Sequence, residues 1–132
     1  MAGVTQHQQI LVVVDESNTA YSIKSILEEN HFKTDVFTDP FLALSEFQKN
    51  PDNYRLLIYD STTKSMTAFE FIKKTRLENR GIKILLITTI RITLAEFRKV
   101  LPSIHIDGFM GKQSFADEII PLVNEAFKSH AS

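Results

Sequence analysis

The chain has 132 residues, 15 basic against 16 acidic, with 43% apolar and 23% charged residues and no cysteine. Its length is that of one domain able to bury a core without staples, expected over residues 1–132 with the core at about 8–129. Balanced charge argues against nucleic-acid binding, which wants a basic stripe. The missing cysteines exclude disulfide and thiolate chemistry, and no apolar run nears the ~20 residues of a membrane span. With no signal-peptide pattern either, a cytoplasmic protein without membrane contact is expected.

Ile10-Leu11-Val12-Val13-Val14 is a short, β-branched, continuous apolar run, the pattern of a strand buried on both faces. It stops at Asp15-Glu16. A helical period follows, with Ala20, Ile23, Ile26 and Leu27 on one face. Residues 32–37 alternate as a second strand. Asp39-Pro40 opens a helix, Asp as N-cap and Pro in the first turn, with Phe41, Leu44 and Phe47 as its apolar stripe. Asn50-Pro51-Asp52-Asn53 is a turn cluster. Leu56-Leu57-Ile58-Tyr59 is a third strand that ends at Asp60. A polar loop, 61–66, leads to Thr67 and Glu70, spaced as a capping box for a helix to about Asn79. Gly81 breaks it, and 82–87 form a fourth strand ending at Thr88-Thr89. Thr93 and Glu96 repeat the capping box for a fourth helix, which ends near Leu101 with Pro102 after it. A weaker fifth strand, 104–110, ends near Lys112, and a last helix carries Ile119, Val123 and Ala126 on one face.

Five strand-helix repeats imply an α/β domain with a parallel sheet covered on both faces and right-handed crossovers. In such sheets the functional crevice lies beyond the carboxyl ends of the strands. Those ends carry Asp15-Glu16, Asp60, Thr88-Thr89 and Lys112. Carboxylates from adjacent strands repel unless a cation lies between them, and Mg²⁺, with oxygen ligands and several waters, meets that need. A carboxylate beside it can attack a phosphoryl group. Lys112 and the Thr88 hydroxyl would then neutralise and hydrogen-bond the phosphoryl oxygens.

Taken in order, "ILVVVDES", "LLIYDSTTKSMTAFEFIKK", "ILLITT" and "GFMGKQSF" make the chain resemble the receiver domains of two-component signalling along essentially its whole length. The resemblance implies a flavodoxin-like (βα)5 three-layer sandwich with strand order 2-1-3-4-5. It implies that Asp60 is the phospho-acceptor, that Asp15 and the backbone carbonyl of Thr62 hold Mg²⁺ with Asp60, and that Lys112 bridges Asp60 and the phosphoryl group. Thr88 would turn inward to that group, and Phe109 stands at the aromatic switch position. Thr62 and Ile90 would influence hydrolysis, the apolar Ile90 by shielding the acyl phosphate. The partners implied are a histidine kinase or phosphotransfer protein as donor and a downstream protein as target, with no direct nucleic-acid contact. The output face would be the fourth strand and helix and the fifth strand and helix, the fourth helix and fifth strand also serving a homodimer. No enzymatic activity is implied beyond the domain's own phosphorylation and dephosphorylation.

Several positions depart from the family pattern. The acidic pair is either Asp15-Glu16, or Val14 replaces the first acid and Asp15 is the second. The distance to His31-Phe32 favours the latter, which removes one outer Mg²⁺ acid and leaves Glu16 as a partial substitute. The loop 64–68 has neither proline nor glycine, and Thr89 replaces a small residue. Gln113 replaces the proline after the lysine, with Ser114 as an inserted residue. The family's cis bond there would cost ~3–4 kcal/mol before Gln113, so a trans loop is expected.

Blander readings stand beside these. Asp60 could simply end a strand, Asp15 cap a helix, Thr88 suit a strand end and Phe109 pack. His7, His31, His105 and His130 show no metal-ligand spacing, and Arg91, Arg98 and Lys99 read as a solvated helix face. The alternative function is a receiver-like interaction module that works without phosphate. A flavin- or nucleotide-binding role is disfavoured, since Asp15-Glu16 repel phosphate and no glycine-rich fingerprint is present.

Overall fold

The computed structural model describes residues 9–89, 99 and 105–130. The elements are β1 (Gln9–Val13), α1 (Ser17–Glu29), β2 (Lys33–Phe37), α2 (Pro40–Lys49), a 3-10 turn (Pro51–Asn53), β3 (Tyr54–Asp60), α3 (Ala68–Glu78), β4 (Lys83–Thr88), β5 (Gly108–Gly111) and a C-terminal helix (Phe115–His130). The five strands are all parallel, in the order β2-β1-β3-β4-β5, as the sequence predicts.

Side-chain alternation along the strands sorts the core into two layers. Leu11, Val13, Leu57, Tyr59, Ile84 and Leu86 face Ala43 and Phe47 of α2 and Phe71 and Ile72 of α3. Ile10, Val12, Leu56, Ile58, Leu85 and Ile87 face Ala20, Ile23 and Leu27 of α1 and Ile119, Val123 and Ala126 of the C-terminal helix. The result is the expected three-layer, flavodoxin-like sandwich. Val14, which one register of the acidic pair puts in place of the first acid, is fully buried in the second layer. Its N–H donates to Phe37 O at 3.1 Å, so it extends the β1–β2 pairing and offers no polar group to the crevice.

The helix starts follow local chemistry. Asp39 accepts from Phe41 N at 2.8 Å with Pro40 opening α2. Thr67 accepts from Glu70 N at 3.1 Å, and its hydroxyl reaches back to the Glu70 carboxylate at 3.5 Å. At α1 the cap is Glu16, not Asp15: its carboxylate accepts from Thr19 N (2.7 Å), the Thr19 hydroxyl (2.6 Å) and Asn18 N (3.2 Å).

β5 is shorter than the 104–110 expected. Within the described residues, 105–107 are irregular and the strand starts at Gly108. The reason lies in Asp107, whose side chain accepts the N–H of Ile84 at 2.7 Å while its own N–H donates to Ile84 O at 2.8 Å. A carboxylate therefore does the work of a ladder carbonyl there. β3 is longer than expected, starting at Tyr54. The fourth helix of the sequence reading, with Thr93, Glu96, Leu101 and Pro102, lies outside the described residues, as do Ile90, Arg91, Arg98, Ile104 and His7; Lys99 is exposed. Among the described residues no helix is long and apolar enough to cross a membrane.

Candidate functional site

The carboxyl ends of β1, β3, β4 and β5 lie along one end of the sheet, and β3 contributes its last residue, Asp60. Its side chain is 0% exposed. The backbone turns at once: Thr63 N donates to Asp60 O at 3.0 Å. Ser61 fastens the turn to β4, its N–H and hydroxyl both reaching Ile87 O, at 2.9 and 2.8 Å. Farther along the loop, the Tyr59 hydroxyl donates to Met66 O at 2.6 Å. The tyrosine ring is packed on Phe71 with centroids 4.8 Å apart. The loop is thus held from below by the strand that carries the aspartate.

The buried carboxylate is compensated on both oxygens. Thr62 donates to Oδ1 through its N–H (2.9 Å) and its hydroxyl (2.7 Å). Lys112 brings Nζ to 2.7 Å from Oδ2. Nζ also donates to the Thr62 hydroxyl at 3.0 Å. Asp60, Thr62 and Lys112 therefore form a closed ring in which the hydroxyl accepts from the ammonium and donates to the carboxylate. Removing a carboxylate from water costs several kcal/mol unless charge and hydrogen bonds return it, and this ring supplies both.

Lys112 is aimed by the end of β5. Its N–H donates to Thr88 O at 2.8 Å, and Ser114 N closes a turn on Gly111 O at 3.2 Å. A Cβ on Gly111 would lie 2.7 Å from the Ser114 Oγ, a contact that rotation of the serine side chain would relieve. The described residues contain no cis peptide bond, so Lys112–Gln113 is trans, as expected once proline is absent. Gly111 N donates to Glu118 Oε1 at 2.9 Å.

Thr88 is the last residue of β4, opposite Gly111, and is 8% exposed. Phe109 lies opposite Leu86 and is half-buried against the α2–α3 layer. Asp15 is exposed just beyond β1. Its charge still reaches the site: burial first, then the charges of Asp15 and Asp60, push the Tyr59 phenol above its ordinary value. The Glu16 carboxyl is held below its ordinary value, first by the Thr19 hydroxyl, with a small contribution from Lys112. Its three capping bonds occupy the group that the sequence left as a supplementary metal ligand.

Among the described residues no group of three or more His, Cys, Asp or Glu side chains could hold a metal. What the strand ends offer is two carboxylates, Asp15 and Asp60, and loop carbonyls such as that of Thr62. This hard-oxygen set suits Mg²⁺, which keeps several waters and needs few protein ligands; it would suit a thiophilic metal poorly.

Sequence reasoning singled out Asp60, Thr62 and Lys112, which are in direct contact. For Thr62 it named the carbonyl and missed the hydroxyl. A threonine two residues after a strand-end aspartate is itself a signal for a side-chain-closed turn. Ser61, Tyr59 and Glu118 were missed; no local pattern marks a glutamate that bonds a strand seven residues before it.

No family model and no curated protein matches the sequence. Solved structures do match. A response regulator receiver domain protein from Clostridium thermocellum superposes with a TM-score of 0.81 at 16% identity, covering 94% of this chain and 97% of that one. The chemotaxis protein CheY4 of Vibrio cholerae gives 0.79 at 21% identity, over 90% and 98%. The response regulator TrrA of Thermotoga maritima, solved in complex with Mg²⁺–BeF, gives 0.74 at 28% identity, over 90% and 98%. Over nearly its full length, this structure matches the CheY-like receiver domains of response regulators.

Proposed function

We propose that the chain is a phospho-accepting signalling receiver, with Asp60 as the acceptor. The observation that carries this reading is the ring at the end of β3: a carboxylate with no exposure, paired with Lys112 at 2.7 Å and held by two donors of Thr62. A carboxylate held by fixed partners in a crevice is positioned to act as a nucleophile. In the transfer, an Asp60 oxygen bonds to phosphorus as the bond from phosphorus to the donor breaks. The donor imidazole of a phosphohistidine leaves and takes up a proton; from acetyl phosphate, acetate leaves. Lys112 would pass from Oδ2 to a phosphoryl oxygen, and the Thr88 hydroxyl, one strand over, would donate to another. Mg²⁺, held by Asp15, Asp60 and the carbonyl of Thr62, would supply charge neutralisation for the phosphoryl oxygens. The Mg²⁺–BeF complex of the 28%-identical Thermotoga protein supports this reading.

The new charge at Asp60 would draw Lys112 and Thr88 and so bias the ends of β4 and β5, where Phe109 lies half-buried. The readout is then binding of a downstream protein, with a histidine kinase or phosphotransfer protein as donor. The test is intact mass after incubation with acetyl phosphate and Mg²⁺, beside Asp60→Asn. A single phosphoryl adduct that needs Mg²⁺ and is absent in the variant is expected.

A second reading is an interaction module that needs no phosphate. Val14, an apolar and buried residue in place of an acid, and the engagement of Glu16 in the α1 cap favour it, since neither position then offers a free carboxylate to the metal side of the crevice. No adduct on the wild type, even at high Mg²⁺, would turn the choice to this reading.

A further inference from the structure

β5 lies at the edge of the sheet. Along a parallel strand, alternate N–H groups point the same way. Lys112 N–H points inward to Thr88 O, at 2.8 Å, so the N–H of Gly111 faces the open edge. Glu118, in the first turn of the C-terminal helix, accepts it at 2.9 Å. The backbone that delivers Lys112 is therefore gripped on both sides, by a β4 carbonyl and by a helix carboxylate. The loop that follows is closed by backbone bonds, Ser114 N to Gly111 O at 3.2 Å and Asp117 N to Ser114 O at 3.1 Å, while Gln113 is no proline and the side chains of Gln113 and Ser114 are exposed.

We propose that Glu118 is a positioning residue for Lys112: by holding Gly111 N–H it fixes the end of β5, and with it the ammonium beside Asp60. The plain alternative is that Glu118, like its neighbour Asp117, only adds negative charge at a helix start. The two differ in what glutamine does. A Glu118→Gln side chain keeps an oxygen for Gly111 and loses the charge.

The decisive measurement is the coupling between Lys112→Ala and Asp60→Asn in urea unfolding, taken with Glu118 intact and in Glu118→Gln, Glu118→Ala and Asp117→Asn backgrounds. Coupling should persist with glutamine and in Asp117→Asn, and most of it should be lost with alanine. Unchanged coupling in Glu118→Ala overturns the proposal, as does a glutamine variant that has lost it. The effect on rate rests on Asp60 being the acceptor. On that reading Glu118→Ala forms the Mg²⁺-dependent adduct with acetyl phosphate about tenfold more slowly, and no more slowly than its parent once Lys112 is alanine. A wild type that forms no adduct would reject the acceptor reading alone, because the coupling still decides the role of Glu118.

Discussion

The two ends of the sheet handle their carboxylates in different ways. At the amino end, Asp35 accepts from the Tyr54 hydroxyl (2.6 Å) and from Gln9 Nε2 (2.5 Å), tying β2 to the starts of β1 and β3. Asp107 accepts from Ile84 N and starts β5 against β4. Arg76 spans the same end, donating to Ile82 O at 3.2 Å, and burial pulls its guanidinium below the ordinary value. Asp35 is held by neutral groups of the frame, and Asp107 by a strand N–H with His105 Nε2 at 3.3 Å and the Arg76 charge nearby, so these acids act as struts. At the carboxyl end, Asp60 is more deeply buried than either, and one of its oxygens faces a lysine on a turn. A cation on a loop can move without unfolding the sheet, whereas a strand N–H cannot. The difference separates carboxylates that hold the fold from one that is free to change partners.

This contrast can be broken experimentally. The largest effect on stability is expected from Lys112→Ala, which leaves the Asp60 charge buried without its counter-ion. About 3 kcal/mol should be lost in urea unfolding, and adding Asp60→Asn should restore most of it. An equal loss in the double variant would mean that the ion pair is not what stabilises this end. Next is Tyr59→Phe, which leaves Met66 O without its buried donor and should cost about 1–2 kcal/mol. It should also raise amide exchange in 61–66. At the amino end, Tyr54→Phe should cost about 1 kcal/mol and leave any adduct on Asp60 unaltered; a slower adduct would join the two ends that the contrast separates.

The smallest effect concerns Glu16, whose folded carboxyl lies below its ordinary value of 4.5 because of the Thr19 and Asn18 donors. The stability it contributes is therefore present above about pH 4.5 and is lost as pH falls through the lowered folded value. The difference in melting temperature between wild type and Glu16→Gln should be constant from pH 7 down to about 5 and vanish in stronger acid. A difference that grew on acidification would reverse the assignment of Glu16 as the α1 cap.

Much of this was legible in the chain itself. Continuous β-branched runs, alternation in β2, the Asp39-Pro40 start and the Thr67 cap are local signals, because they depend on neighbours within a turn of helix or a strand pleat. They were enough to place Asp60, Thr88 and Lys112 at strand ends, and hence on one crevice. Two kinds of feature escaped. Asp15 and Glu16 are adjacent acids, and only the entry angle of α1 decided that Glu16 caps it while Asp15 stays in solvent. Strand β5 was read as longer than it is, because the Asp107 side chain takes a ladder bond that apolar patterning cannot reveal.

What the sequence determined by itself was the order of elements and the chemical type of each strand end, since periodicity and capping act over a few residues. Tertiary structure alone decided which groups meet: Lys112 with Asp60 and Thr62 across fifty residues, Ser61 with Ile87, and Glu118 with Gly111. Those contacts depend on strand register and on the docking of helices, which are set by burial of the whole sheet at once. No short stretch of the chain contains that information.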